Sequence, residues 1–193
     1  MKNNITLLKK KQRDQSSKKR LILNKNINLN NSLFFNILNE YIWFKKSKII
    51  ASFSSIKSEF PTQQINSFIL NSGKILCLPS IQENSNDILI FKQYSQGDEL
   101  IIGRFGVKEP LKNNISLPDI IFTPCLAYDT HGFRLGYGGG YYDKTISYLR
   151  SVKHKFLTIG LAYDDQKVDY VIHDDLDQKL NYILTEKRLY KIL

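Results

Sequence analysis

DIIFTPCLAYDTHGFRLGYGGGYYDKT, residues 119–145, changes character twice along its length. It opens on DIIFTPCLA (119–127), an apolar run without alternation, the pattern of a strand buried on both faces. It then crowds Gly136, Gly138, Gly139 and Gly140 into one turn and continues as a helix predicted from about Tyr141 to Val152. Strand, glycine turn and helix in that order are the repeating step of an α/β protein.

The same alternation continues on either side. Downstream, KFLTIGLAY (155–163) reads as the next strand and NYILT (181–185) as the last. Upstream, KIIASFS (48–54) is a first strand, and Pro61-Thr62 opens a helix that ends at Ser72-Gly73. KILCLPSI (74–81) and DILIFKQY (87–94) are two further strands, and FGVKEP (105–110) reads as a loop. Before these lie a basic helix over 5–23, an Asn-rich linker over 24–31 and a helix over 32–46. Ser32 stands near the N-cap of that last helix, and Leu33, Phe34, Ile37, Leu38, Tyr41 and Ile42 recur at helical spacing. The expected fold is α/β, a three-layer α/β/α sandwich with a mainly parallel, Rossmann-like sheet and basic N-terminal helices. The expected organisation is one domain over 1–193, with a helical segment at 1–46 and an α/β body at 47–193.

Hydrophobic residues make up 42% of the 193 and charged residues 24%, which excludes a disordered chain and a collagen. Cys77 and Cys125 lie in apolar runs without metal spacing and are expected as buried thiols. No apolar run is long enough to span a membrane, and the polar, basic start from Met1 to Arg13 lacks the apolar stretch of a secretory leader, so a cytoplasmic protein is expected. The net charge of +10 is localised: residues 1–50 hold twelve Lys/Arg against two Asp/Glu, and residues 51–193 hold sixteen of each. A basic arm ahead of a neutral body suits a nucleic acid, an acidic surface or a polyphosphate.

Glycines at a strand-to-helix junction let backbone N–H groups approach a ligand, and the helix behind them aims its positive end at the same spot. Arg134 adds a permanent cation, and Asp143, in the first turn, a carboxylate able to hold Mg²⁺ against a polyphosphate. A P-loop would need Gly-Lys-Ser/Thr, whereas Lys144-Thr145 follows Asp143. A dinucleotide fingerprint would need a third glycine where Tyr141 stands. From the residues alone the segment is either a phosphate cradle or a turn that needs glycine only for packing.

PCLAYDTHGFRLGYGGGYYDK (124–144) resembles the signature of the 5-formyltetrahydrofolate cyclo-ligase family, also called methenyltetrahydrofolate synthetases. SEFPTQQI (58–65), GKILCLPSI (73–81), FKQYSQGDELIIGRFGVKEP (91–110), IGLAYDDQ (159–166) and NYILTE (181–186) resemble further segments of that family, in its order. The resemblance implies an enzyme that uses ATP and Mg²⁺ to convert 5-formyltetrahydrofolate into 5,10-methenyltetrahydrofolate, releasing ADP and phosphate. The expected chemistry is phosphorylation of the formyl oxygen followed by attack of N10.

Carried over residue by residue, the resemblance implies ATP contacts at Arg134, Leu135, Gly136, Tyr137, Gly138, Gly139, Gly140, Tyr141 and Tyr142, with Tyr137 to Tyr141 also touching the folate. No catalytic residue is assigned outright; Arg134 and Tyr141 are the leading contributors. Asp143 is the first metal carboxylate, and Asp177, counted back from Thr185, the second, with Asp174 as its alternative. Glu59 is a folate contact, where the bland reading is a solvated loop charge, and Ser54 lines the same pocket. In the family's Lys-x-x-Leu-Arg, which grips ATP phosphates, Lys9 and Arg13 are kept, while Gln12 replaces the apolar residue. Asp129 is expected to orient the glycine loop, His131 and His154 to lie on the surface, and Trp43 to be core. Two other readings compete: a nucleic-acid binder, for which the neutral body offers no surface, and a binder of the same fold that has lost catalysis. The partners expected are small molecules, with no nucleic acid, no membrane and a monomeric state.

Overall fold

The structure, a computed structural model, describes residues 2–26, 31–81 and 87–192. At its centre is β6 (Ile120–Pro124), the strand expected from the apolar run. It lies between β1 (Ile49–Ala51) and β9 (Leu157–Leu161) in a seven-stranded sheet of order β11-β10-β9-β6-β1-β2-β3. β1, β2 (Ile75–Ile81), β6, β9 and β10 (Tyr182–Leu184) run parallel. The edges, β3 (Leu89–Tyr94) and β11 (Leu189–Lys191), are antiparallel to their neighbours.

The period-two alternation of strand side chains divides the interior into two faces. Ile50, Ile120, Phe122, Ile159 and Leu184 point to one face, where α2 (Asn31–Glu40), α3 (Ile42–Lys46) and α4 (Gln63–Asn71) cover them with Leu38, Phe44, Ile65 and Ile69. Ala51, Cys77 and Ile121 point to the other, where α5 (Tyr141–Ser151) supplies Leu149. Beside them, Ile146 of α5 packs on Cys125, Ala162 and Ile183. Helices on both faces of a mostly parallel sheet make the three layers expected. Gly160 of β9 is fixed by this packing: a Cβ there would stand 2.8 Å from Ile183 Cδ1 and 2.9 Å from Cys125 Sγ and Leu180 Cδ1. Gly160→Val is therefore expected to lower stability by about 1–3 kcal/mol through overpacking, measured as a lower denaturant midpoint with unchanged slope.

Four expectations are corrected. The predicted helix over 32–46 is two helices, broken at Tyr41, whose backbone is extended (φ −86°, ψ 127°). Leu38 and Phe44 are both buried, yet on an unbroken helix residues six apart would point about 120° away from one another; the break brings both to the core. FGVKEP is not a loop: Lys108–Pro110 form β5, antiparallel to β4 (Leu100–Ile102). Strands this short, one ending in proline, carry too little alternation to read. NYILT is followed by one more strand, β11. α1 (Lys2–Asn26) runs through the first three positions of the expected linker, and 27–30 lie outside the described residues. The backbone at Ser32 lies inside α2.

α1 has few apolar positions and is anchored mainly by polar side chains. Gln12 explains its own departure from an apolar residue: its amide donates to the Tyr170 carbonyl at 2.8 Å and accepts from the Ile172 N–H at 3.0 Å. Trp43 packs against the core, as expected, with its ring 5.2 Å from that of Tyr182. Cys77 and Cys125 are buried free thiols. Among the described residues no helix is long and apolar enough to cross a membrane.

Candidate active site

From β1 the chain winds outward through β2 and β3, then returns to β6 and winds the other way through β9 and β10. The order reverses between β1 and β6, so the loops leaving their carboxyl ends splay apart, which is where open α/β sheets bind ligands. A cavity of about 1060 Å³ lies there. Its walls are Ser54 and Glu59 after β1, the glycine loop after β8 (Arg134–Leu135), Phe105 and Glu109 of the β4–β5 hairpin, and Lys9 and Arg13 of α1. Asp174 and Asp177 complete it. Every residue singled out from the sequence for ATP, folate or metal lines this one cavity.

Asp129 holds the turn that precedes the glycine loop. One carboxylate oxygen accepts from His131 N–H (2.9 Å) and Phe133 N–H (3.0 Å), the other from Val171 N–H (3.0 Å). The tight turn between β7 (Ala127–Tyr128) and β8 therefore folds around one buried carboxylate. β8 then delivers Arg134 and Leu135 to the cavity. Gly138 (φ +102°) and Gly140 (φ +71°) occupy the left-handed region, where a side chain is strained. Gly140 is also the N-cap of α5, and no side chain caps that end. Among the described residues, no amide from Gly136 to Asp143 donates to a carbonyl or side chain of the protein. The turn thus presents open N–H groups beside the positive end of α5.

Charged side chains line the cavity around this turn. Arg134, buried, grips Asp143 through two bonds of 3.0 Å, and Asp143 also accepts from Gln178 N–H at 2.9 Å. Lys9, only 8% exposed, bonds Asp174 at 2.8 Å and Asp177 as well. Burial pulls the Lys9 ammonium down, and the bonds to Asp174 and Asp177 more than reverse this, leaving it raised. The Lys9 bond holds the Asp174 carboxyl below its ordinary range. Arg13 donates to the Gly136 carbonyl at 3.1 Å, and its guanidinium lies over Gly138. Among the described residues no three His, Cys, Asp or Glu side chains are grouped to hold a metal. His154 is not simply a surface residue: its Nε2 bonds the Pro118 carbonyl at 2.9 Å.

Glu59 is 5% exposed, which removes the solvated-charge reading. Burial pushes its carboxyl up, against the Ile56 N–H bond and the charge of Arg20. Tyr142 packs into the core beneath α5, while Tyr141 meets Phe105 edge-on with ring centres 5.8 Å apart. Sequence reasoning missed Phe105 and Glu109 because their hairpin reads as a loop. Glu109 accepts from Ser80 Oγ at 2.6 Å and packs so closely on Gly103 that a Cβ there would meet its Oε1 at 2.2 Å. It also missed Arg20, one cation among many on a basic helix.

A model of the 5-formyltetrahydrofolate cyclo-ligase family matches residues 6–186. The chain is 30% identical over 147 residues to the 5-formyltetrahydrofolate cyclo-ligase of Escherichia coli strain K12, covering 74% of this chain and 80% of that one. It is 33% identical over 146 residues to the enzyme of the same name from Haemophilus influenzae, covering 72% and 76%. The NMR structure of Aquifex aeolicus 5,10-methenyltetrahydrofolate synthetase matches with a TM-score of 0.74 at 27% identity, over 96% of this chain and 93% of that one.

Proposed function

The chain belongs to the 5-formyltetrahydrofolate cyclo-ligase family, and on that premise we propose that it converts 5-formyltetrahydrofolate to 5,10-methenyltetrahydrofolate with ATP and Mg²⁺, releasing ADP and phosphate. Ring closure is slow without activation because the formyl oxygen is a poor leaving group. Transfer of the γ-phosphoryl group to that oxygen makes it a good one. N10 then attacks the formyl carbon, and phosphate departs with the C–O bond.

This chemistry asks the protein mainly to position two ligands and to offset phosphoryl charge. The open amides of Gly136 to Asp143, together with the α5 terminus, are the observation that carries the reading, because they offer donors that the protein's own backbone leaves unused. Lys9, Arg13 and Arg134 face the same space and serve the phosphates. Tyr137 to Tyr141 lie between the two ligands, with Leu135 and Tyr142 supporting the nucleotide end. Glu59 and Ser54 serve the folate: a pterin edge presents an N–H and an amino group, which an ionised carboxylate accepts together. Arg134 and Tyr141 act nearest the transferred group.

Asp143 and Asp177 supply the hard oxygen donors that Mg²⁺ takes, and both line the cavity, so the residues fit the ion. Each is bonded to a cation, Asp143 to Arg134 and Asp177 to Lys9, which suits a metal that arrives with a polyphosphate rather than bare. When bound, the ion neutralises phosphate charge as a Lewis acid. Residues 1–46 and the body act as one unit, since α1 walls the cavity of the body. We place the enzyme in the cytoplasm with small-molecule partners. The body's charges balance and Lys9 and Arg20 turn inward, which removes two cations a nucleic acid would use.

Purified protein with 5-formyltetrahydrofolate and Mg²⁺ is expected to generate the ultraviolet absorption of the methenyl product only when ATP is added. Product formation at the same rate without nucleotide, or none with it, would refute the proposal.

A further inference from the structure

Most cations of α1 face solvent, but Arg20 is 1% exposed. Among the described residues it bonds no carboxylate. Its Nε donates to Ser58 Oγ at 3.3 Å, one terminal nitrogen to the Cys125 carbonyl at 3.1 Å, and the other to the Tyr137 hydroxyl. The guanidinium carbon stands 5.2 Å from the centre of the Tyr137 ring. One side chain thus ties together the loop after β1, the end of β6 and the glycine loop, three walls of the same cavity. Burying a guanidinium in this way is unfavourable unless a nearby charge compensates. The compensating group is Glu59, adjacent to Ser58 and itself buried, which also interacts with the Tyr137 hydroxyl.

We infer that Arg20 is a positioning residue for the folate: it locks the Tyr137 ring and the Glu59 carboxylate in register, so that one meets the pterin face while the other accepts from its edge. This rests on the reading of Glu59 as a folate contact. The groups facing Glu59 are Arg20 from α1, Lys57 on its own loop, Tyr137, Cys125 after β6 and Tyr142 on α5. Burial pushes the Cys125 thiol up to about 12 and raises both tyrosines, so these three stay neutral near pH 7. Lys57 is exposed, which leaves Arg20 as the buried cation opposing the protonation of Glu59. Removing its charge raises the Glu59 carboxyl further, so folate affinity falls off at a higher pH as the solution is acidified.

The test measures the dissociation constant of 5-formyltetrahydrofolate from acid to neutral pH by calorimetry. Arg20→Met is expected to weaken binding about ten- to hundredfold near neutral pH and to move the inflection upward. Arg20→Lys keeps the charge but loses the fork; its inflection stays near the parent's while its affinity remains lower. In a Glu59→Gln background the pH dependence disappears, and adding Arg20→Met weakens binding by less than it does alone. A folded Arg20→Met protein with the parent's affinity and pH profile would overturn the inference, as would an undiminished loss in the Glu59→Gln background. If Arg20→Met does not fold, Arg20→Lys decides: parental affinity overturns the inference. Parental binding by Glu59→Gln alone would instead defeat the folate role of Glu59, and the role of Arg20 with it.

Discussion

If the proposed reaction holds, Asp143→Ala is expected to lower kcat by about a hundred- to a thousandfold, the scale of removing one preorganised electrostatic group from an active site. From the sequence, this change should remove turnover and leave the fold intact. The structure adds a second consequence. Asp143 is the carboxylate gripped by the buried Arg134 and the acceptor of the Gln178 N–H. Truncation strands a cation in the interior, a loss of about 3 kcal/mol. Asp143→Asn separates the two effects, because its carbonyl oxygen still accepts from Arg134 or Gln178 while the negative charge is gone. Asp143→Asn should remain folded by thermal melt and still lose most of its turnover at saturating Mg²⁺ and ATP. Turnover equal to the parent's in Asp143→Asn would defeat the metal assignment.

Asp129→Ala should be the most damaging single truncation outside the apolar core. Three backbone N–H groups, from His131, Phe133 and Val171, lose their acceptor at a fully buried position. Each buried donor left unsatisfied costs about 1–3 kcal/mol, and water entering the space made by truncation recovers part of it. A net loss of about 3–5 kcal/mol is expected, a fall in Tm of roughly 10 °C for a chain of this size. Asp129→Asn should fall between, since it keeps one acceptor and turns an amino group toward one of the N–H donors. An unchanged denaturant midpoint in Asp129→Ala would show that the turn is held by other contacts. Activity should fall along with stability, because the β7–β8 turn carries Arg134 into the cavity.

The strands that could be read from the sequence are those buried on both faces. β6, β9 and β2 have no solvent side, so each appears as an unbroken apolar run whatever surrounds it. β4, β5 and β11 escaped because three-residue strands at the periphery owe their existence to a partner rather than to their own composition. The break at Tyr41 escaped for a related reason: local periodicity extends a helix through it, and only the demand of the core for both Leu38 and Phe44 interrupts it.

The site divides in the same way. The glycine loop announces itself because left-handed backbone and close approach demand glycine wherever they occur, and its acidic and basic neighbours lie close in sequence. Lys9 meets Asp177 across 168 positions, and no local signal joins them. The sequence by itself determined the layered α/β plan, the glycine turn and the family, since burial pattern and glycine placement are written residue by residue. Only the tertiary structure decided which charges are paired, that Glu59 is buried and that Arg20 is an interior residue. Burial and pairing are properties of the space between elements, and a chain fixes that space only once all of them are packed.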